Sequence, residues 1–457
     1  MASTATQCSP APARYPLIAH REAGALAAFR DGHGRTAAEF MEDVHRTAAA
    51  LPESGHVLNF CSNRYRFAVL FHAAVMRGQM TLLPPSTTPN VIDAMRASAT
   101  DVYFVSDDPS ITIDLPRAGL PAEDSPGNRR YEVPMVPADL TAACVFTSGS
   151  TGEPQPHFKS WGSLARDMAA ESARLGVGPG HAVLGTVPPQ HMYGFESTVL
   201  LPLLSGAALT AERPYYPAEI DEAIRRLPPP RILFTTPFHL RTWLAAGEVA
   251  PLETIVSATA PLSVALAREA EAMTGAKVFE IYGCTEAGQV ATRRPTVSVE
   301  WQAIEGLRLS NDGGQAHVCG GHVERPTPLQ DVIEFLDSGQ RFLLHGRLAD
   351  MVNIAGKRNS LGYLDHQLAT IPGVVDGVFF LPEEPAEGRV ARLTAFAVAP
   401  GLTAARVMAE LRMRVDPAFL PRPLLMVEAL PRSLTGKLPR AALHALASKA
   451  RPQGGEG

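Results

Sequence analysis

At residues 146–155 the chain reads Phe146-Thr147-Ser148-Gly149-Ser150-Thr151-Gly152-Glu153-Pro154-Gln155. An apolar run at 142–146 leads into this segment and predicts a buried strand. Beyond the strand, the loop offers two glycines and four hydroxyl side chains. Glycine reaches backbone conformations that are closed to other residues, so successive N–H groups can point into one concavity. Hydroxyls add uncharged donors. The loop therefore suits a polyanion such as a triphosphate.

A Walker A loop and a flexible linker are the alternatives to a phosphate-binding loop of this kind. A Walker A loop is excluded, because no Gly-Lys-Ser/Thr follows at the required spacing. A flexible Gly/Ser linker stays open on composition alone. Phosphate binding is favoured because the loop follows a buried-type strand and is expected to precede a helix.

Length and composition limit the class of protein. The chain has 457 residues, 46% of them hydrophobic, and a formal net charge of -5. A single core stops growing at about 250–300 residues, so at least two domains are expected. The mild negative net charge gives no indication of a basic surface that would bind nucleic acid. Five widely spaced cysteines and an N-terminus without a basic or apolar run predict a cytoplasmic protein without a signal peptide.

The pattern of apolar residues predicts a mixed α/β fold. Thr36 and Glu39 form a capping box before a helix, Asn63 can cap the next helix, and Gly176 can end the helix after the key loop. Strands alternating with amphipathic helices indicate a doubly wound, mainly parallel sheet. Residues 1–16 are predicted to be a frayed tail, and the apolar run 199–211 is too short to cross a membrane. The strands are predicted at 56–61, 80–83, 102–105, 182–186, 232–235, 254–257 and 277–281.

Polar loops follow four of the predicted strands, at 147–155, 188–194, 257–261 and 282–286. Ligands of open α/β sheets lie beyond the carboxyl ends of the strands, so these loops are expected to share one site. The short β patterns and Gly-rich turns of residues 300–342 predict a β subdomain. We expect an N-terminal domain over 1–346 and a small α+β domain over 347–457.

Four motifs in this order resemble the adenylate-forming superfamily of acyl- and aryl-CoA synthetases, peptide-synthetase adenylation domains and luciferases. The loop at 146–154 matches its signature, and Tyr-Gly-x-Thr-Glu matches at 282–286. The stretch at 346–358 supplies Gly346, Arg347, Asp350, Gly356 and Arg358, and Thr-Gly-Lys…Arg matches at 435–440. The compact length and the Pro-Gln-Pro-His variant are similar to stand-alone AMP ligases of aryl-polyene and polyketide-type clusters.

The resemblance implies a role for each matched residue, with ATP and Mg²⁺ as cofactors. Lys437 would bridge the substrate carboxylate and the α-phosphate, Thr285 would contact that phosphate, and Glu286 would hold Mg²⁺. Asp331 and Arg347 would bind the ribose, and Tyr282 would stack near the adenine. His191 would lie at the acyl pocket. The remaining expected nucleotide contacts are Thr147, Ser148, Gly149, Ser150, Thr151, Gly152, Ala258, Gly283 and Arg358.

The chemistry accounts for these residue types. A carboxylate and a triphosphate repel each other, so the site must neutralise charge and hold the two groups in line. Lysine is a compact cation with rotatable donors, and Mg²⁺ prefers carboxylate and phosphate oxygens. Taken singly, each residue also fits an ordinary structural role: Lys437 as a solvated lysine, Glu286 as a helix cap, and Tyr282 as core. For His191 the functional and the structural role are evenly matched.

Departures from the family pattern concern two positions. Gln155 stands where the family commonly has lysine, and Lys159 could supply a cation from another angle. Ala349 stands at the acidic hinge position, with Asp350 adjacent.

The expected function is activation of a carboxylic acid as acyl-AMP, followed by transfer to a thiol. An aryl or hydroxyaryl acid and the phosphopantetheine of an acyl carrier protein are the leading expectations, with free CoA as the alternative acceptor. Glu196 is the acidic residue in the expected pocket that could grip an α-amino group. A nucleotide-binding homologue without turnover is the rival hypothesis. The sequence leaves open which acid is used, the acceptor and the oligomeric state.

Overall fold

A computed structural model of the chain describes residues 14–53, 55–84, 89–121, 130–148, 154–347, 351–354, 357–381, 392–432 and 438–450. Within these ranges no helix is both long and apolar enough to cross a membrane.

The described strands follow one another along the chain in this order: β1 Arg14–Pro16, β2 Leu26–Arg30, β3 His33–Thr36, β4 His56–Asn59, β5 Thr81–Leu83, β6 Val102–Val105, β7 Met135–Pro137, β8 Thr141–Ser148, β9 Pro154–Ser160, β10 Ala182–Gly185, β11 Ala208–Thr210, β12 Arg231–Thr235, β13 Thr254–Ser257, β14 Lys277–Cys284, β15 Gly288–Arg293, β16 Trp301–Ala303, β17 Leu307–Asp312, β18 Gln315–Gly320, β19 Val323–Pro328, β20 Asp331–Phe335, β21 Arg341–Arg347, β22 Met351–Ile354, β23 Lys357–Ser360, β24 Asp376–Phe380, β25 Thr394–Val398 and β26 Leu424–Met426.

The described helices are α1 Ala37–Ala50, α2 Arg64–Met76, α3 Pro89–Ser98, α4 Trp161–Leu175, α5 Met192–Phe195, α6 Leu201–Ser205, α7 Pro217–Arg226, α8 Pro237–Leu244, α9 Val264–Thr274, α10 Leu361–Ala369, α11 Ala404–Arg412 and α12 Arg440–Ala450. A π-helical turn, Glu196–Leu200, joins α5 to α6.

Two sheets form the frame of the large part of the molecule. The five-stranded sheet has the order β6-β4-β5-β8-β9, and the eleven-stranded sheet has the order β20-β21-β16-β15-β14-β13-β12-β10-β11-β2-β3. Neighbouring strands from β14 through β13, β12, β10 and β11 to β2 are parallel. The predicted doubly wound, mainly parallel α/β fold is therefore confirmed.

Helix α2 lies between the two sheets, and it is buried on nearly every side. The sequence indicated one buried face, whereas burial all round is typical of a helix enclosed between two layers. Phe71 of α2 packs edge-on against Phe195, with ring centroids 4.9 Å apart. Each fully buried side chain of this size stabilises the fold by about 1.5–3 kcal/mol.

Local helix signals are confirmed where their residues are described. Thr36 and Glu39 form the predicted capping box of α1, and the Asn63 side chain accepts a hydrogen bond from the Arg66 N–H. Gly176 ends α4 with a φ of 72°, a left-handed conformation that favours glycine.

Two predictions of local structure are wrong. Arg14–Pro16 was expected in a frayed tail but forms β1, which pairs with Met135–Pro137. The key loop was expected to lead into a helix, but β9 comes first and pairs antiparallel with β8. The three residues of β1 are too few to show a hydrophobic period. In β9 the alternation of buried and exposed side chains becomes recognisable only once its pairing with β8 is known.

The C-terminal part has its own three-stranded sheet of order β24-β25-β26 and a hydrophobic cluster drawn from residues 352 onward. It touches the large part where the Ser360 hydroxyl donates to the His345 carbonyl at 2.5 Å. The proposed division into domains 1–346 and 347–457 stays a prediction.

Candidate active site

The parallel strands β10, β12, β13 and β14 lie side by side and end at the same edge of the large sheet. Three of the predicted polar loops follow strands of this set. One correction concerns the segment 282–286: β14 extends to Cys284, so Tyr282 and Gly283 lie within a strand paired to β15, and the turn comprises 285–287. Sequence periodicity ended the strand too early because Tyr282 and Gly283 follow its apolar core.

The hairpin β8–β9 contacts the turn 285–287 at this edge. The Lys159 ammonium donates a hydrogen bond to the Glu286 carbonyl at 3.0 Å. The His157 Nε2 atom lies 3.7 Å from a Glu286 carboxylate oxygen. Two predicted phosphate-binding residues, Thr147 and Ser148, lie in β8 opposite Gln155 and Pro154. Gly149, Ser150, Thr151 and Gly152 lie outside the described residues.

Glu286 fits the predicted magnesium role. Its side chain is 41% exposed at the turn that follows β14. Among the described residues, no group of three or more His, Cys, Asp or Glu side chains could hold a metal ion. Mg²⁺ commonly binds through one or two carboxylates and uses substrate phosphates and water for its other positions. A single accessible carboxylate next to half-buried Thr285 therefore suits magnesium delivered with a nucleotide.

Tyr282 and Asp331 are joined directly. The Tyr282 hydroxyl donates to the Asp331 carboxylate at 2.7 Å. The Tyr282 ring is buried and lies edge-on to Trp301 and Phe342, so most of this side chain belongs to the core. Its polar end fixes the position of Asp331.

Asp331 also lies opposite Arg347 in the ladder of β20 and β21. The strand register thus places the backbone of both predicted ribose-binding residues side by side. Periodicity did not reveal this pairing, because it depends on the turn between the two strands.

The loop 257–261 is tied to β14 through the residue that follows it, Leu262. The Leu262 N–H donates to the Glu280 carboxylate at 2.8 Å, and Arg293 pairs with the same carboxylate at 2.6 Å. Ala258 is buried in this loop. Thr259 has a φ of 78°, which is strained for a β-branched residue. Strain of this kind is typical of ligand-binding segments.

His191 directly precedes α5, and its carbonyl accepts the Phe195 N–H at 2.8 Å. It is half-buried after β10, at the edge where the other loops lie. Lys437 lies outside the described residues, and Arg358 is placed in β23 without a described side chain. Their roles stay predictions.

A cluster of buried polar residues lies behind the 285–287 turn and was not predicted from the sequence. The Glu171 carboxylate accepts a hydrogen bond from the Ser197 hydroxyl at 3.0 Å and another from the Gln289 amide. Burial raises the pKa of Glu171 to about 8. Asp167 lies 3.5 Å from the His322 ring, and burial lowers the pKa of His322 to about 4.

Glu196 belongs to the same cluster. It is 3% exposed, and burial followed by the charge of Asp167 raises its pKa. The expectation that Glu196 could grip a substrate amine is not supported by this placement, because its carboxyl group faces Asp167 and Gly288. The signal available in the sequence was the four-residue spacing of Asp167 and Glu171 on α4, which puts both on one helix face.

Comparison with known proteins agrees with this fold. The sequence profile of the AMP-binding enzyme family matches residues 18–332. A 4-coumarate–CoA ligase of Rhodobacter capsulatus is 34% identical over 305 residues, covering 65% of this chain and 75% of that protein. Another, from Halorhodospira halophila, is 30% identical over 56% of this chain and 63% of its own length. ATP-bound MatB from Rhodopseudomonas palustris superposes with a TM-score of 0.79 at 19% identity, covering 93% and 96% of the two chains.

Proposed function

Because the chain belongs to the AMP-binding enzyme family, and is thus an AMP-forming ligase, we propose that it activates a carboxylic acid with ATP and transfers the acyl group to a thiol. The relatives named as CoA ligases support free CoA as the acceptor. An aryl or hydroxyaryl acid is the substrate class that we test first. The phosphopantetheine of an acyl carrier protein is the second acceptor to test.

One observation supports this proposal above the others: strand β14 connects the residue proposed to bind the ribose with the residue proposed to hold Mg²⁺. Tyr282 of β14 holds Asp331 at 2.7 Å, and the same strand leads into the turn of Thr285 and Glu286. Glu286 in turn lies against the hairpin that continues into the phosphate loop. A nucleotide spanning these groups would have its ribose and its phosphates positioned together.

The proposed reaction has two displacements. A carboxylate oxygen attacks the α-phosphorus of ATP, the bond to the β-phosphate breaks, and pyrophosphate leaves. The thiolate then attacks the acyl carbon, and AMP leaves. Mg²⁺ held by Glu286 would supply positive charge at the phosphates, and Lys437 would neutralise the two reacting anions. We propose that 347–457 acts as a mobile domain that brings Lys437 to the site.

The test is ATP–pyrophosphate exchange across a panel of acids, followed by acyl transfer to CoA or to holo carrier protein. We expect exchange with at least one acid, and a loss of about 100- to 1000-fold in Lys437→Ala. Lys357→Ala is the matched control, because Lys357 pairs with Asp416 on the surface.

Unchanged exchange in Lys437→Ala would contradict the mechanism. Exchange absent with every acid would favour the nucleotide-binding homologue without turnover, a hypothesis motivated by Gln155 and Ala349.

A further inference from the structure

Strand β9 presents two basic side chains on one face. His157 and Lys159 are two residues apart, so both point to the same side of the sheet. There they meet the same residue, His157 near the Glu286 carboxylate and Lys159 at the Glu286 carbonyl. Lys159 is only 6% exposed, which is unusual for lysine.

The other side of the 285–287 turn is held by the buried carboxyl groups. Gly288, the first residue of β15, follows this turn with a φ of 78°. A side chain built there would come within 2.5 Å of an Asp167 oxygen and 3.2 Å of a Glu196 oxygen. The two carboxyl groups thus pack against the backbone of the turn, and both interact electrostatically with Lys159.

A buried ammonium costs several kcal/mol unless it is hydrogen-bonded. Lys159 donates to the Glu286 carbonyl and interacts electrostatically with the Asp167 and Glu196 carboxyl groups. Lys159 is buried, whereas Gln155, which stands where the family commonly has lysine, is exposed. The lysine is placed behind the turn, where it fixes the main chain of Glu286.

We propose that Lys159 is a positioning residue for adenylation: its ammonium, set between the buried carboxyl groups and the Glu286 carbonyl, holds the Glu286 carboxylate where it can bind a nucleotide-bound divalent cation. This inference rests on the proposed function for the identity of the nucleotide. Partners that orient a metal ligand typically contribute about 10- to 100-fold to metal affinity or activity when they are removed.

The experiment measures ATP binding by calorimetry without any acid substrate, in EDTA and in Mg²⁺. In the wild-type protein we expect Mg²⁺ to tighten ATP binding. In Lys159→Met we expect this Mg²⁺-dependent gain to fall by about tenfold or more, with affinity in EDTA within about twofold of wild type. Lys159→Arg, which keeps charge and donors, should recover part of the gain. Lys277→Met is the control, because Lys277 is exposed at the opposite end of β14.

The inference would be overturned if a folded Lys159→Met protein showed the same increase in ATP affinity with Mg²⁺ as the wild-type protein. It would also be overturned if Mg²⁺ did not change the ATP affinity of the wild-type protein. Should Lys159→Met fail to fold, the double variant Lys159→Met/Glu196→Gln removes the ammonium together with a buried carboxyl group that interacts with it. Loss of the gain in that protein supports the role of Lys159, and a retained gain contradicts it. Since no turnover is needed, the result is independent of whether the exchange panel finds an acid.

Discussion

At the scale of single residues, Asp331 illustrates how a core side chain prepares a binding group. Tyr282 has its ring among Trp301 and Phe342 and its hydroxyl on the Asp331 carboxylate. The packed ring cannot move without disturbing the core, so the hydroxyl is a fixed donor. Asp331 is thereby oriented before any ligand arrives, which lowers the entropic cost of binding.

Replacing Tyr282 with phenylalanine keeps the ring and removes this hydrogen bond. A hydrogen bond to a charged group contributes about 1.5–3 kcal/mol, part of which the freed carboxylate regains from water. We expect ATP affinity to fall by about 3- to 10-fold, measured by calorimetry. We also expect the free energy of unfolding to fall by about 1 kcal/mol.

Tyr216→Phe is the control, because Tyr216 is largely exposed and remote in sequence from the site. Wild-type ATP affinity in Tyr282→Phe would show that Asp331 needs no orientation or does not bind the ribose.

At the scale of elements, α2 is fastened to the large sheet through the side chain of its first residue. Arg64 is fully buried and donates to the carbonyls of Thr210, Glu212, Gly185 and Val187 at 2.7–3.0 Å. It also donates to the Thr198 hydroxyl at 2.9 Å, in the π-helical turn. One guanidinium thus joins the ends of β10 and β11 to the segment that follows the expected acyl-pocket residue His191.

Arg64→Met should therefore be severely destabilising. The substitution leaves several buried carbonyls without their donor, and each unsatisfied group costs about 1–3 kcal/mol. We expect the free energy of unfolding to fall by at least about 3 kcal/mol, measured by urea denaturation. Arg66→Met, two residues further along α2, is the control. A change below about 0.5 kcal/mol in Arg64→Met would mean that water or rearrangement satisfies these carbonyls.

The elements also show what a sequence can predict. The start of α1 and the end of α4 were predicted, because Thr36, Glu39 and Gly176 act on their own neighbours in the chain. The pairing of β1 was not predictable, because its partner strand, Met135–Pro137, lies far along the chain. The burial of Asp167 was not predictable for the same reason, since it depends on contacts with β15 and with the π-helical turn, which are distant in the chain. The order of the motifs along the chain predicted the family. The packing and hydrogen bonds that position the site residues come from contacts between residues distant in sequence, which the motifs do not reveal.

At the scale of the whole molecule, the buried carboxyl groups link stability to pH. Burial raises the pKa of Glu171 from its usual 4.5 to about 8. Between these values the folded protein holds a proton that the unfolded chain has released, so stability falls as pH rises through this window. The contribution is complete below about pH 4.5 and lost above about pH 8.

Glu171→Gln cannot titrate, and it should flatten part of this pH dependence. We expect the free energy of unfolding to decline less steeply between about pH 5 and pH 8 than in the wild-type protein, as measured by urea denaturation at several pH values. Part of the slope of the unfolding free energy against pH should remain, because the pKa values of Asp167 and Glu196 are raised in the same direction. Glu222→Gln, on the exposed face of α7, is the control. Equal slopes in Glu171→Gln and wild type would show that Glu171 stays ionised when folded.

Gly288 has a consequence for the evolution of this chain. Because an Asp167 oxygen lies 2.5 Å, and a Glu196 oxygen 3.2 Å, from the place where a Cβ at position 288 would stand, positions 167, 196 and 288 do not drift independently of one another. A lineage that acquires alanine at 288 has to move or shorten the Asp167 side chain and also accept a left-handed backbone at a residue with a side chain.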